Sequence, residues 1–323
     1  MVLKIEEAEK FKMFAKVGFW GTFKAGKTHA ALALAHALAP GGKIGVISSE
    51  HASSKLLKHR FSHQIINLAE VDDNGNLVPN AFSLARYEEA FRLFKSARYD
   101  VIIIDSLTHL WDAEGGILET VNATSNKFDE GWNKATPAYK KFVSLLLATR
   151  CHVIVTMRGK DLYKHEEYKD KNGNTKMKPV NIGESPIFRK GFGFELHLMI
   201  RMDNMVGHVD ATAIHDWVPL GTEAREPDEW AAVARNLLDG LDGTALPEPS
   251  QQELDMQDLF HEYSTVYPGA VRIDNWQKRL LIKVLGSAPN STEYTDDMVE
   301  RVRKFVTARK VEKQEQEAAS MNI

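Results

Sequence analysis

The sequence predicts an α/β fold in which a mainly parallel β-sheet is flanked by helices and a small helical C-terminal region follows. Short apolar runs alternate with longer helical segments from Phe11 to Asp105. One run, VIII at 101–104, is uninterrupted, as expected for a strand covered on both faces. The Gly/Pro-bearing segment GLDGTALPEPS then precedes a stretch with helical periodicity at 251–310. We therefore expect a core at residues 1–245 and a helical region with a polar tail at 246–323.

Each element of the core has its own sequence signal. The predicted strands are apolar runs, and the predicted helices are either rich in Ala and Leu or amphipathic. The strands are expected at 12–20, 43–48, 101–104, 152–157 and 194–202, and the helices at 27–39, 83–97, 139–149 and 226–239. The first helix ends at Pro40-Gly41-Gly42, which cannot continue it.

Composition excludes several classes of protein. The 323 residues carry a net charge of −3, with 43% hydrophobic and 26% charged residues, which argues against disorder and against rod-like assemblies. The single cysteine, Cys151, excludes an intramolecular disulfide framework. The charged start and the lack of an apolar run of about 18 residues predict a cytoplasmic protein without a membrane segment. Near-neutral charge also excludes coating of nucleic acid by bulk charge, so any such contact must be local.

A phosphate-binding motif lies between the first strand and the first helix. The pattern G-x-x-x-x-G-K-[ST] is matched by Gly21, Thr22, Phe23, Lys24, Ala25, Gly26, Lys27 and Thr28. The glycines let backbone N–H groups face a phosphate at a helix N-terminus, where the helix dipole favours anions. Lys27 would reach the β- and γ-phosphates of ATP, and the Thr28 hydroxyl would ligate Mg²⁺.

Two carboxylates follow later strands of the predicted sheet. Asp105 ends the VIII strand, where an open α/β sheet places its ligand crevice, and a carboxylate there can hold Mg²⁺. Glu50 follows the second strand and would face the same crevice. Lysine, aspartate and glutamate then converge, so Glu50 is the candidate to orient and deprotonate water. A helix cap for Asp105 and a solvent-facing Glu50 are the structural alternatives.

These segments together resemble the RecA-like branch of the P-loop ATPases. The resemblance rests on GTFKAGKT, SSEHAS, YDVIIIDSLTHL and HVIVTMRGK, and it extends through 188–202. The later segment KPVNIGESPIFRKGFGFELHLMIRMD is most similar to phage-encoded members, including single-strand annealing and recombination ATPases. For Glu50, the resemblance implies activation of the attacking water. For the protein, it implies a host-cytoplasmic location if a phage encodes it.

The resemblance also implies a homo-oligomer, ring or filament, with ATP at the subunit interface. A basic residue of one subunit then reaches the γ-phosphate bound by the next, and Arg189 and Lys190 match that finger best. Arg158 occupies the position of the family's polar γ-phosphate sensor. The sequence departs from the family there, since Thr156-Met157-Arg158 replaces an Asn-Gln pair. Solvated loop charges are the alternative for Arg189 and Lys190.

A polar stretch from Gly159 to Phe188 is predicted as a loop at the place where the RecA family holds DNA. It interleaves basic and aromatic residues, which can neutralise phosphates and stack on unpaired bases. The candidate DNA-binding residues are Lys160, Tyr163, Lys164, Tyr168, Lys169, Lys171, Lys176 and Lys178. Four acids between 160 and 178 reduce the net charge to about +2, so a solvated loop is the alternative.

The leading functional hypothesis is a Mg²⁺-dependent ATPase that binds single-stranded DNA and promotes annealing or recombination in phage DNA metabolism. A single-strand binding protein or a replication protein is a further candidate partner. One alternative is a helicase, helicase loader or packaging motor built on the same core. The other is a nucleotide-gated adaptor, without direct DNA binding, whose helical region at 251–310 recruits another protein.

Overall fold

The computed structural model describes residues 8, 10–50, 53–72, 74–123, 130–169, 175–244, 250–267, 276–290 and 293–321. The chain forms two compact units, Met1–Ala245 and Leu246–Ile323. The first unit contains the sheet, and the second contains helices in its described part. The predicted α/β class, with a mainly parallel sheet flanked by helices and a helical C-terminal region, is confirmed.

The central sheet has the strand order β3-β2-β4-β5-β1-β7-β8-β9, and β6 lies outside this order and pairs with β5. Neighbours from β3 to β7 are parallel, whereas β7-β8-β9 and β5-β6 are antiparallel. The strands are β1 Lys16–Gly21, β2 Ile44–Ser48, β3 Gln64–Asn67, β4 Val101–Asp105, β5 His152–Lys169, β6 Thr175–Pro186, β7 Leu198–Asp203, β8 Val206–Thr212 and β9 Glu223–Ala224. Strand β1 begins four residues after the start of the predicted strand at 12–20, because residues 12–15 do not join the hydrogen-bonded ladder of the sheet.

Helices cover both faces of this sheet. One face packs against α1 and α6, where the Phe19 ring meets the Trp230 ring edge-on at 5.5 Å. The other face packs against α2 and α5 around Phe91 and Phe142. The helices of the first unit are α1 Lys27–Leu38, α2 Leu84–Ser96, α3 Leu107–Asp112, α4 Ile117–Asn122, α5 Trp132–Ala148 and α6 Pro227–Leu241. Helix α5 begins seven residues before the predicted helix at 139–149.

The prediction of an irregular loop from Gly159 to Phe188 was wrong over most of its length. β5 runs out of the central sheet and pairs with β6 in a long antiparallel hairpin, from Gly159 opposite Pro186 to Lys169 opposite Thr175. The described side chains on both faces of the hairpin are exposed, except at its base and at Val180, which are half-buried. Neither face therefore needs the apolar alternation by which a half-buried strand is recognised in a sequence.

The described residues of the second unit form the helices α7 Gln251–Val266, α8 Trp276–Leu285 and α9 Asp296–Met321. They pack around a small core that includes Met256, Leu281 and Val302. Helix α9 continues to Met321, so the polar tail that follows the predicted helical stretch at 251–310 is helical in its described part. Glu, Lys, Gln and Ala all favour helix, and the lack of an apolar stripe does not prevent it.

Candidate functional site

The motif at 21–28 forms a tight loop at the carboxyl end of β1, and α1 begins directly after it. Gly26 has φ 96°, and a Cβ there would lie 2.5 Å from the Met205 Sδ. Gly21 has φ 151°, and a Cβ there would lie 2.4 Å from the Met202 carbonyl oxygen. Both positions therefore require glycine, as the motif predicts.

The outer part of the loop is open to solvent. Gly26 is the N-cap of α1 and makes no side-chain capping bond, so the N–H groups of the first turn can face an anion. Phe23 is 80% exposed, and the Lys24 ammonium lies 5.2 Å from the centre of its ring. The loop is fixed from behind, where the Met205 N–H donates to the Ala25 carbonyl at 3.1 Å. This arrangement fits a bound phosphate chain.

Lys27 lies inside the loop with its side chain almost fully buried. Its Nζ donates to the carbonyl oxygens of Gly21 at 3.1 Å and Thr22 at 2.7 Å. Burial lowers the pKa of Lys27, and the charges of Glu50 and Asp105 partly oppose that shift. An ammonium held this way can bind phosphate oxygens without first being drawn in from solvent.

Thr28 and Asp105 meet at the carboxyl end of β4. The Thr28 Oγ1 donates to the Asp105 Oδ2 at 2.8 Å, and the Thr156 hydroxyl donates to the other oxygen. Burial raises the pKa of Asp105, while the two hydroxyls and the Lys27 charge act to lower it. Adjacent hydroxyl and carboxylate oxygens are ligands that suit Mg²⁺, so these residues fit the predicted metal. The contact of Thr156 with Asp105 was not predicted from the sequence.

Glu50 and Arg158 lie on the same edge of the sheet and form an ion pair. The Arg158 Nε donates to the Glu50 Oε1 at 3.0 Å, with about a fifth of the Glu50 side chain exposed. Both charges also act on the pKa of Lys27, and Arg158 is the one that lowers it. The structure thus brings together Lys27, Thr28, Asp105, Glu50 and Arg158, which the sequence had nominated separately.

A hydrogen-bond network fixes Glu50 relative to Asp105. Ser49 directly precedes Glu50, and its Oγ accepts the Ser106 N–H at 2.8 Å and donates to the Ser106 carbonyl at 3.1 Å. His109 lies 2.9 Å from the same Ser49 Oγ, and the Tyr87 hydroxyl donates to the Ser106 carbonyl at 2.8 Å. No sequence signal indicated this network, because Ser, His and Tyr at these spacings match no motif.

Thr108 connects the site to the base of the hairpin. Its Oγ1 accepts the Arg158 N–H at 2.9 Å and donates to the Ile187 carbonyl at 3.1 Å. The Ile187 N–H in turn donates to the Arg158 carbonyl at 2.7 Å. Thr108 therefore joins the two ends of the hairpin to the helix that follows Asp105. Sequence reasoning also missed this residue.

The predicted finger residues lie elsewhere in the first unit. Arg189 is half-buried, with its guanidinium 4.7 Å from the Tyr139 ring centre and 5.7 Å from that of Trp132. Its Nη2 also donates to the Thr136 Oγ1 at 3.4 Å. Lys190 is exposed. The Lys190 side chain therefore faces solvent, whereas the Arg189 guanidinium is packed against aromatic rings.

The predicted DNA-binding residues follow the two strands of the hairpin. Lys160, Tyr163, Lys164 and Lys178 have exposed side chains. Tyr168, Lys169 and Lys176 belong to its strands, but their side chains lie outside the described part, as does the whole of Lys171. The hairpin leaves the central sheet directly after Arg158, at the edge where Glu50 and Asp105 lie. It therefore begins beside the candidate nucleotide site.

Comparison with known proteins gives one family model and several similar solved structures. A family model described as AAA domain matches residues 13–189. Similar solved structures include the RadB recombinase, with 14% identity over 66% of this chain and 87% of that one, at a TM-score of 0.38. A KaiC-like protein from Pyrococcus horikoshii has 15% identity, coverage of 56% and 88%, and a TM-score of 0.29. The flagellar accessory protein FlaH from Methanocaldococcus jannaschii has 12% identity, coverage of 62% and 80%, and a TM-score of 0.31.

No curated protein matched the chain. Because all three TM-scores lie below 0.5, we take no function from these structures. Within the described residues, no helix is both long and apolar enough to cross a membrane.

Proposed function

The chain belongs to the AAA domain family of P-loop NTPases, and on that premise we propose that it binds and hydrolyses ATP with Mg²⁺. The observation that carries this proposal is the 2.8 Å contact between Thr28 and Asp105 beside the buried Lys27 ammonium. The phosphates would lie along the N-terminus of α1, with Lys27 on their oxygens. A bound Mg²⁺, held by Thr28 and Asp105, would neutralise charge on the transferred phosphoryl group.

Glu50 is the proposed general base. In this structure its carboxylate accepts a hydrogen bond from Arg158. The carboxylate is therefore held at the edge of the phosphate site, but the oxygen bonded to Arg158 is not free to accept a proton from water. Arg158 lies where β5 leaves the central sheet, opposite Gly21 of the phosphate loop, and could turn to the γ-phosphate when ATP binds. Glu50 would then orient a water molecule and take its proton as the water oxygen attacks the γ-phosphorus, the bond to the bridging oxygen breaks and ADP leaves.

The hairpin is the proposed site for single-stranded DNA, and its register separates charge onto two faces. Residues opposite each other share a face, and alternate residues lie on opposite faces. Among described side chains, the face we call the lysine face carries Lys160, Leu162, Lys164, Glu166, Lys178 and Val180. The other face carries Asp161, Tyr163, His165, Glu167, Met177, Pro179, Asn181 and Glu184. Three lysines on one face give a local phosphate-binding surface in a chain whose net charge is −3.

Annealing or recombination, in a homo-oligomer with ATP between subunits, is the proposed biological role. The exposed Lys190 supports a finger supplied to a neighbouring subunit more directly than the stacked Arg189 does. Residues 1–245 are proposed to carry the nucleotide and DNA sites, and 246–323 to form a separate helical module. A phage origin and a single-strand binding or replication protein as partner remain parts of this proposal.

Hydrolysis is tested by steady-state release of phosphate from ATP. Lys27→Ala should abolish activity, because the phosphate oxygens lose their buried cation. Glu50→Gln should retain nucleotide binding and lower turnover by at least about tenfold. Full activity in Lys27→Ala, or unchanged turnover in Glu50→Gln, would remove these residues from their proposed roles.

DNA binding is tested by fluorescence anisotropy of a labelled single strand with ATP analogue and Mg²⁺ across a range of salt concentrations. Replacing Lys160, Lys164 and Lys178 by Glu reverses their charge and should weaken DNA binding. The slope of log K against log salt concentration should fall by about two, since each phosphate contact contributes about 0.7. The matched control replaces three exposed lysines of α5 by Glu, namely Lys134, Lys140 and Lys141. Equal loss in both variants would contradict a specific role for the lysine face. Unwinding of a forked duplex would assign a motor instead of an annealing protein.

A further inference from the structure

A second group of basic side chains lies at the edge of the sheet opposite the phosphate loop. Strands β3, β2 and β4 are adjacent and parallel, so all three begin at this edge. The segments that precede them bring Lys58, Lys43 and Tyr99 around one cavity of about 360 Å³. Parallel topology alone therefore gathers these side chains from distant parts of the chain.

Hydrogen bonds hold the two ammonium groups beside this cavity. The Lys58 Nζ donates to the His63 carbonyl at 3.2 Å, and the Lys43 Nζ donates to the Ala97 carbonyl at 3.4 Å. An ammonium has three N–H donors, so each lysine can also bind a ligand oxygen. No carboxylate is among the described residues that line the cavity. The neighbouring Asp100 accepts the Lys43 backbone N–H at 2.7 Å.

The surrounding sequence is also basic. Residues 51–69 contain no Asp or Glu but include Lys55, Lys58 and Arg60, all of which are exposed. Lys95 and Arg98 add charge at the end of α2, just before Tyr99. The carboxyl end of α2 favours Lys95 and also Lys43, whose ammonium donates to the carbonyl of the C-cap residue Ala97, but it does not account for Lys58. A one-sided patch of this kind in a chain of net charge −3 is a typical electrostatic footprint for phosphate.

We propose that this basic cavity binds the sugar–phosphate backbone of a second nucleic-acid strand while the hairpin holds the first. The inference rests on the proposed function, because annealing brings two strands to one protein. The two sites are separate, since β2 and β4 have five residues each and a strand rises about 3.3 Å per residue, so the two edges lie about 16 Å apart. Occupying one edge therefore leaves the other accessible.

The experiment cross-links photoreactive single-stranded DNA to the full chain with ATP analogue and Mg²⁺, then maps the modified peptides. Cross-links should appear within 43–64 or 95–99 in the native chain and in the variant with Lys160, Lys164 and Lys178 reversed to Glu. They should be lost in Lys43→Glu/Lys58→Glu and kept in the matched control Lys140→Glu/Lys141→Glu. The Lys43→Glu/Lys58→Glu variant should anneal complementary strands at least about tenfold more slowly, with DNA-independent ATP hydrolysis unchanged.

Each outcome separates this inference from the proposed function. Cross-links confined to the hairpin, or a native annealing rate in Lys43→Glu/Lys58→Glu, would overturn the second site and leave the hairpin site standing. Cross-links to hairpin peptides that are unchanged when Lys160, Lys164 and Lys178 are replaced by Glu would overturn the hairpin site and leave the second site standing. Unchanged ATP hydrolysis in Lys43→Glu/Lys58→Glu shows that a loss of cross-links does not come from misfolding.

Discussion

Two histidines at the amino-terminal edge of the sheet should make the stability of the protein depend on pH. The Ala15 N–H donates to the His152 Nδ1, and the Lys16 N–H donates to the His197 Nδ1, each at 3.0 Å. The Nδ1 atom of each imidazole must therefore carry no proton, so that it can accept its hydrogen bond. Burial, reinforced by the nearby Lys16 charge, lowers the pKa of His152 to about 4 and that of His197 to about 4.

The size and sign of the effect follow from these pKa values. The unfolded chain binds protons at these histidines below pH about 6.5, whereas the folded chain does so only near 4. The free energy of unfolding should be highest above pH 6.5 and fall as the pH decreases toward 4. A shift of about 2.5 units corresponds to about 3 kcal/mol per group. Because both side chains are partly exposed, we expect about 1–2 kcal/mol each after screening by solvent.

Urea unfolding between pH 7.5 and 4.5 measures this dependence. The double variant His152→Asn/His197→Asn keeps an oxygen that can accept both N–H bonds but cannot titrate, so it should lose about 2–4 kcal/mol of the pH dependence. The control is His215→Asn, at an exposed histidine, which should behave as the native chain does. If the double variant does not fold, imidazole chemical shifts in the native chain give the same answer. Titration of His152 and His197 near pH 6.5 would refute the reasoning.

Three further changes test the site itself. Asp105→Asn should weaken Mg²⁺-dependent binding of a fluorescent ATP analogue by at least about tenfold, because the metal loses its buried carboxylate; equal affinity with and without Mg²⁺ in the native chain would contradict this. Thr108→Val should abolish the nucleotide-dependent change in hydrogen exchange of the hairpin amides, because it removes the hydroxyl that bonds both ends of the hairpin. Thr108→Ser keeps the hydroxyl and should retain the change. A full response in Thr108→Val would exclude coupling through the Thr108 hydroxyl. Gly26→Ala should lower the free energy of unfolding by about 1–2 kcal/mol in urea and weaken nucleotide binding, since φ 96° and the Met205 side chain both oppose a Cβ; an Ala variant as stable as the native chain would show that the loop can relax.

The elements that the sequence predicted most accurately are those whose signals are local. The strand at 101–104 is apolar because both of its faces are covered, and β4 is buried throughout. The loop at 21–28 needs glycine at φ values that other residues avoid, so its position was visible in the sequence. The hairpin was missed because its exposed faces impose no apolar alternation, and the end of α9 was missed because it has no apolar stripe.

By itself, the sequence determined the α/β class, the phosphate loop and the carboxylates at the strand ends, since each depends on backbone sterics or burial within a few residues. Only the tertiary structure decided which of these groups meet. The pairing of Glu50 with Arg158, the contact of Thr156 with Asp105 and the link through Thr108 join residues about 50 to 110 positions apart. Such contacts depend on strand order and register, which fix positions in space that no local pattern encodes.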